Sequence, residues 1–131
     1  MSLNKYLPQP THFLFYSQLI LGNNPLSNTL QGWIGTEMKK LQYVDFSRTY
    51  FEGTLPTTWI MLSIMKIMRL NDNNLITGTI PSEWSNMKKI VGLHLYNTTV
   101  TGSASFLCNK YLTSKLLVDL DEVECKCCAQ P

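Results

Sequence analysis

Charged residues and long apolar runs are both scarce in this chain. Only 15% of its 131 residues are charged, and the formal net charge is +2. A nucleic-acid-binding domain usually carries a basic stripe, which this balance does not supply. No stretch approaches the roughly 18 apolar residues of a membrane span, because the longest candidate, residues 60–70, is interrupted by Lys66 and Arg69. We therefore predict no nucleic-acid partner and no membrane span in this chain.

Signatures of catalysis are also missing. The two histidines, His12 and His94, lie far apart in the sequence, and there is no G-x-S-x-G, H-E-x-x-H or phosphate-binding glycine loop. The carboxylates are few, and the group at positions 119–124 is typical of a solvated strand end. We predict no catalytic residue, no metal site and no cofactor.

What the chain does contain is a repeat. Four copies begin at Tyr16, Leu41, Met65 and Ile90, so the period is 24 or 25 residues. The unit reads L-x-x-L-x-L-x-x-N-x-L-x-G-x-I-P. A period of that size indicates a solenoid, in which each coil is covered by its neighbours. The competing interpretation of residues 60–70 as a helix explains one segment only, whereas the repeat explains four.

The apolar columns of the repeat predict the core. Alternation in a short strand sends one set of side chains to a single face, which one coil cannot bury alone. The inward pairs are Leu19/Leu21, Val44/Phe46, Met68/Leu70 and Leu93/Leu95. A second column reads Leu26, Phe51, Leu75 and Val100, with one extra residue between Leu75 and Gly78. Trp59 and Trp84 occupy equivalent places on the predicted convex side.

Two further columns predict the turns. A short polar residue follows each strand, at Asn24, Thr49, Asn73 and Thr98. Such side chains can bond the backbone of the turn. The position of the consensus glycine holds Asn28, Gly53, Gly78 and Gly102, all types that tolerate positive φ.

These motifs resemble the plant-type leucine-rich-repeat family, and residues 51–56 and 78–81 match its L-x-G-x-I-P signature. The resemblance covers about residues 16–128 and implies an α/β-type solenoid: a right-handed superhelix with a parallel concave sheet and an irregular or 3-10 convex side. The tail, residues 118–128, is similar to the cysteine-rich end of leucine-rich-repeat proteins of diatoms and related algae. Family members are usually recognition proteins with a signal peptide, more repeats and often a membrane anchor.

The ends of the chain complete the predicted domain organisation. Residues 1–15 resemble the tail of a preceding repeat, with Lys5 in the glycine place, so we expect a chain truncated at Met1 rather than a signal peptide. Residues 16–107 hold the repeats. Residues 108–131 form a cysteine-rich cap, because a solenoid needs an end coil that shields its last apolar face.

The cap contains all four cysteines: Cys108, Cys125, Cys127 and Cys128. A bond between the adjacent Cys127 and Cys128 has poor geometry. Two pairings remain, 108–127 with 125–128 or 108–128 with 125–127, and a single bond such as 108–125 is a further option. Reduced cysteines and a four-thiolate zinc site are alternatives, although two separated C-x-x-C clips are missing. Disulfides would imply an oxidising compartment, where the sequon at Asn97 is a glycosylation candidate.

Stacking also predicts the exposed surfaces. The middle outward column of the strands reads Ile20, Asp45, Arg69 and His94. With its neighbours it gives a candidate ligand-binding set on the concave face: Tyr43, Asp45, Arg48, Arg69, His94 and Tyr96. A second file, Thr29, Thr54 and Thr79, could order water and bind ice, although Glu52 interrupts the file beside it.

The sequence therefore predicts a non-catalytic recognition module that binds a protein or carbohydrate ligand. Its setting is expected to be extracellular or at the cell surface, within a larger protein. The alternative from another class is a fragment of a receptor-like protein kinase whose catalytic part lies elsewhere. Ice binding through the threonine file is the third hypothesis.

Overall fold

The computed structural model describes residues 15–108 and 115–131, and it shows a stack of parallel coils. Each coil contributes one short strand to each of two sheets. The first sheet has the order β1-β3-β5-β7-β9 and the second β10-β8-β6-β4-β2, with all pairs parallel. The predicted partial repeat at residues 1–15 lies outside the described residues except for Phe15.

The strands of the first sheet are β1 (Gln18–Ile20), β3 (Tyr43–Asp45), β5 (Ile67–Arg69), β7 (Gly92–His94) and β9 (Lys115–Leu117). Those of the second sheet are β2 (Ser27–Thr29), β4 (Tyr50–Thr54), β6 (Leu75–Thr79), β8 (Thr99–Ser103) and β10 (Val123–Glu124). The returning side of the coils carries α1 (Trp33–Glu37) and three 3-10 helices, at Thr57–Met61, Ser82–Asn86 and Ser105–Leu107. The segment 60–70 is thus a 3-10 helix end followed by a strand, as the repeat predicts.

The apolar columns form the core between the two sheets. Val44, Phe46, Met68, Leu70 and Leu93 are fully buried, and Leu19 and Leu95 are nearly so. Leu21 differs from the prediction because it is only half-buried, at the edge of the first described coil.

The second apolar column needs a correction. Ile76 is fully buried, whereas Leu75, which the spacing assigned to this column, is 50% exposed. The extra residue of the third repeat therefore lies before Ile76, and not between Leu75 and Gly78. Alternation in a strand sends neighbouring residues to opposite faces, so a slip of one residue exchanges the two.

Two of the three tryptophans pack on the returning side of the stack. Trp59 and Trp84 are buried, and their rings lie parallel with centroids 6.2 Å apart. Each indole N–H donates to a backbone carbonyl of the preceding coil, Trp59 to Gln31 at 2.9 Å and Trp84 to Pro56 at 3.1 Å. A buried indole N–H needs such an acceptor. Each of the two side chains therefore fills the core with its ring and joins two coils through its hydrogen bond.

The polar column after the strands acts as predicted. Thr98 donates its hydroxyl to the carbonyl of Leu95, three residues earlier, and the single proton of the Thr49 hydroxyl is shared between the carbonyl of Phe46 and Oδ1 of Asn73. Asn73 goes further, because its side chain is buried and joins two coils. Its Nδ2 donates to the carbonyl of Phe46 at 2.7 Å, and its Oδ1 accepts from the Thr49 hydroxyl at 2.8 Å and the Phe51 N–H at 3.2 Å.

Replacement of Asn73 by alanine should destabilise the stack strongly. Asn73→Ala leaves the buried N–H of Phe51 without its acceptor, and we expect a loss of about 3 kcal/mol in the free energy of unfolding. The matched control is Asn24→Ala in the equivalent exposed position, where the amide bonds only its own turn, with an expected loss below about 1 kcal/mol. Urea unfolding measures both. Equal losses would contradict a special role for the buried amide.

Candidate functional site

The outward side of the first sheet brings the predicted ligand-binding residues together. We define the concave face by Tyr43, Asp45, Arg69, His94 and Tyr96. Asp45 lies opposite Arg69, and Arg69 lies opposite His94 on the next strand. Ile20 stands opposite Asp45, so the predicted middle column is confirmed. The inward neighbours Val44, Met68 and Leu93 fix this orientation because they are fully buried.

Arg69 lies at the centre of the concave face. Its guanidinium carbon is 5.6 Å from the centroid of the Tyr43 ring, within the range of a cation–π contact. Its Nη1 is 3.9 Å from Oδ2 of Asp45, a long ion pair. The Arg69 side chain remains 43% exposed, and its buried Nε has no hydrogen-bond partner within the described residues. The guanidinium is therefore positioned by an aromatic ring, and the exposed part of the side chain can contact a ligand.

Asp45 is held more firmly than its arginine partner. Its Oδ1 accepts from the backbone N–H of Ser47 at 2.9 Å and from the Ser47 hydroxyl at 2.6 Å. The carboxylate is thus a fixed acceptor beside a more mobile donor. The side chain of Asp45 is only 14% exposed, whereas that of Arg69 is 43% exposed, so Arg69 is the more accessible of the two charges.

The far end of the concave face is aromatic. The rings of His94 and Tyr96 lie 6.2 Å apart and tilted, and both residues are half-buried. Beside them, the side chain of Asn71 is buried and its Oδ1 has no hydrogen-bond partner among the described residues. The concave face therefore combines aromatic rings with an arginine, and tyrosine and arginine are enriched in protein-binding hot spots.

Arg48 does not join the concave face but lies on its rim. At each strand exit one residue adopts the left-handed conformation: Asn23, Arg48, Asp72 and Asn97, with φ between 53° and 60°. Asparagine and aspartate tolerate this region, whereas an arginine there is uncommon. The strand alternation does not predict this conformation, although the asparagines and the aspartate of the column are a signal for it.

Asp72 connects the residues of the rim through hydrogen bonds. Its carboxylate accepts from Asn97 Nδ2 and Asn71 Nδ2, each at 2.7 Å, and from Arg48 Nε at 3.4 Å. Partial desolvation raises the pKa of Asp72, but the hydrogen bonds from Asn97, Asn71 and Arg48 and the charge of Arg48 outweigh it. The pKa of Asp72 is therefore below its ordinary value.

Asn97, the glycosylation candidate, is exposed at this rim. Its backbone N–H donates to Oδ2 of Asp119 at 2.7 Å, in addition to the side-chain bond to Asp72. A glycan on Nδ2 would leave one N–H for Asp72 and would project from the rim. Glycosylation of Asn97 stays a prediction.

The second sheet presents a different surface. Its outward positions include Thr54, Thr77, Thr79, Thr99 and Thr101, which we call the threonine array; all are exposed. Thr54 lies opposite Thr77, Thr77 opposite Thr99, and Thr79 opposite Thr101. The predicted file is corrected, because Thr29 lies opposite Glu52 and Thr54 is not beside Thr79. The register of this sheet moves by two residues per coil.

The cysteines of the cap form two disulfides, Cys108–Cys127 and Cys125–Cys128. This is one of the two pairings that the sequence left open. The Cα atoms of the two pairs lie 5.6 and 5.5 Å apart, so Cys108 is next to the C-terminal cluster as predicted.

Residues 65–87 match the family model described as Leucine Rich Repeat. Over 93 residues, 71% of this chain, the sequence is 32% identical to a probable LRR receptor-like serine/threonine-protein kinase of Arabidopsis thaliana. The chain carries leucine-rich repeats of the plant type. It spans only 9% of the length of that curated relative.

Solved structures with the same fold include two of different kinds. The plant peptide hormone receptor RGFR1 in complex with RGF2 superposes with a TM-score of 0.71 at 22% identity, over 78% of this leucine-rich-repeat chain and 17% of the receptor. A plant ice-binding protein gives 0.69 at 22% identity, over 80% of this chain and 33% of that one. The similarity establishes the solenoid fold. Within residues 15–108 and 115–131, no helix is long and apolar enough to cross a membrane.

The low pKa of Asp72 makes a pH-dependent prediction. A carboxyl whose pKa is lower in the folded than in the unfolded chain stabilises the fold above its unfolded pKa, and this contribution disappears as the pH falls through its folded pKa. Asp72→Asn keeps a side chain that tolerates the left-handed conformation. We expect a lower urea midpoint than wild type at about pH 7 and equal midpoints at about pH 2, where both side chains are neutral.

The control for this prediction is Asp121→Asn, because Asp121 is an exposed acidic residue of the cap outside the rim network. Its midpoint should follow wild type across the same pH range. A constant difference between Asp72→Asn and wild type at all pH values would show that the charge of Asp72 is not what stabilises the rim.

Proposed function

We propose that this chain is a non-catalytic recognition module that binds an extended peptide segment of a protein along the concave face. The observation that carries the proposal is the state of Arg69, whose guanidinium is held over Tyr43 while its side chain stays 43% exposed. Such a group recognises a carboxylate or carbonyl with little further loss of side-chain entropy, because it is already oriented.

The surroundings of Arg69 support a peptide rather than a single small ligand. Tyr43, Arg69, His94 and Tyr96 extend across neighbouring strands and form an open surface rather than a closed cavity. Aromatic rings and an arginine are the residue types that carry most binding energy in protein interfaces. The fixed carboxylate of Asp45 adds an acceptor for a backbone N–H or a cationic side chain of the ligand.

The comparisons support the same proposal. The receptor RGFR1 is described in complex with RGF2 as a plant peptide hormone receptor, and the Arabidopsis relative is a receptor-like kinase. By analogy we propose an extracellular or cell-surface setting, which suits a cap closed by two disulfides. If the chain belongs to a receptor-like kinase, the catalysis lies in another part of that protein and recognition remains the role of these repeats.

Peptide display tests this proposal. Phage-displayed random peptides are selected on the oxidised chain, and the dissociation constants of the selected peptides are measured for two concave-face variants, Arg69→Gln and Tyr43→Ala. We expect each variant to weaken binding at least about ten-fold, equivalent to about 1.4 kcal/mol. The control Lys88→Gln changes an exposed lysine outside both sheets and should bind as wild type.

Two results would contradict the proposal. Selected peptides that bind both concave-face variants with unchanged affinity would place the ligand elsewhere. Failure to select any peptide, together with binding of the same chain to an immobilised carbohydrate array, would change the ligand class from protein to glycan.

Ice binding is a second candidate, and the register of the second sheet favours it. The threonine array contains two Thr-x-Thr pairs, on β6 and β8, whose members lie side by side on adjacent strands. Strands about 4.8 Å apart with outward residues every second position give a regular two-dimensional grid of hydroxyl and methyl groups. Inhibition of ice recrystallisation by the oxidised chain, abolished in Thr77→Lys but not in Thr57→Lys, would establish it; no inhibition would exclude it.

A further inference from the structure

Folding gathers the cap cysteines more tightly than two separate disulfides require. The sulfur atoms of Cys108, Cys125 and Cys127 all lie within 4.8 Å of one another. Across the two disulfides, Cys108 Sγ is 3.8 Å from Cys125 Sγ, and Cys125 Sγ is 4.0 Å from Cys127 Sγ. The fourth sulfur, that of Cys128, is bonded to Cys125.

Two of these distances match the separation of sulfur ligands in a zinc site. Zinc binds four thiolates at about 2.3 Å in a tetrahedron, so its sulfur ligands lie about 3.8 Å from one another. The two contacts between sulfurs of different disulfides already have this separation. Cys125 and Cys128 also have the C-x-x-C spacing of a zinc clip. The sequence lacked a second clip, but folding supplies Cys108 in its place.

The backbone holds the sulfurs near one another independently of the disulfides. Before the cluster, β10 pairs with β8, and the Ala104 N–H donates to the Glu124 carbonyl at 2.8 Å. After the cluster, the Ala129 N–H donates to the Leu116 carbonyl at 2.9 Å. The residues on both sides of the cluster are therefore tied to the last coils by backbone hydrogen bonds that do not involve the cysteine sulfurs.

We propose that the reduced cap is a four-thiolate zinc site formed by Cys108, Cys125, Cys127 and Cys128. A dithiol reductant gives two electrons and two protons to each disulfide and closes to its own cyclic disulfide, so the Cys108–Cys127 and Cys125–Cys128 bonds break and four thiols form. One Zn²⁺ then displaces four protons as four Zn–S bonds form. Zinc and the two disulfides are alternative cross-links of the same cap, and the redox state determines which of them forms.

Cobalt substitution tests the proposal. The whole chain is reduced with a dithiol, freed of reductant under argon and titrated with Co²⁺, whose d–d absorption bands identify a tetrahedral thiolate site. We expect one Co²⁺ per reduced chain, displacement by one Zn²⁺, and no bands from the oxidised chain. Cys127→Ser should weaken Zn²⁺ binding at least about ten-fold, whereas the control Lys126→Gln in the same loop should bind within a factor of about three.

Amide hydrogen exchange distinguishes zinc binding by a folded cap from zinc binding by an unfolded C-terminal segment. Zinc should restore the protection of Ala104, Val118 and Ala129 in the reduced chain to the level of the oxidised chain, because these amides donate hydrogen bonds within the cap. The proposal is overturned if the reduced chain shows no tetrahedral bands or if Cys127→Ser binds Zn²⁺ as tightly as wild type. It is also overturned if metal binds without restoring protection of these amides.

Discussion

The stack depends on a side-chain amide buried where one coil meets the next. Asn73 gives its two amide hydrogens to carbonyls of its own turn and of the preceding coil, and it accepts from Thr49 and Phe51. The turn backbone is too sharply bent to satisfy these groups itself, and each would be costly if left unpaired away from water. Because the bonds reach across coils, they fix the position of one turn relative to its neighbour.

That fixed position determines both exposed surfaces. In the first sheet, equivalent residues of successive coils stand directly opposite one another, which places Asp45, Arg69 and His94 in one row. In the second sheet, the register advances by two residues in each coil, so Thr54 meets Thr77 and Thr79 meets Thr101. The advance is the same between β2 and β4, between β4 and β6 and between β6 and β8, so every coil contributes it equally and the extra residue before Ile76 does not cause it.

Much of this fold could be predicted from the sequence, because the main determinants are local. Alternation identified Val44, Met68 and Leu93 as inward, and a short polar residue after each strand identified the turns. The exposure of Leu75 could not be predicted. The extra residue of the third repeat could lie before or after the buried position, and both placements fit the same sequence pattern. The left-handed Arg48 and the carboxylate network of Asp72 depend on contacts between residues about 24 positions apart, which no local pattern encodes.

The candidate site was predictable only in part for the same reason. The periodicity placed Tyr43, Asp45 and Arg69 on one face, but the cation–π contact and the unused Nε of Arg69 arise from side-chain packing. The cysteine spacing limited the disulfides to few pairings, whereas the closeness of the sulfur atoms results from the pairing of β10 with β8. The identity of the ligand could not be predicted, because it also depends on the chemistry of the partner.

The coils stack in one register, and this register aligns the concave face. Nuclear Overhauser effects between strands of the oxidised chain test the register. We expect contacts between the Phe46 amide and the backbone of Arg69, and between the Leu70 amide and the backbone of His94, because these amides donate to the Arg69 and His94 carbonyls at 2.8 and 2.9 Å. Contacts displaced by one or two residues would show that Asp45, Arg69 and His94 do not share a row and that the coils stack in another register.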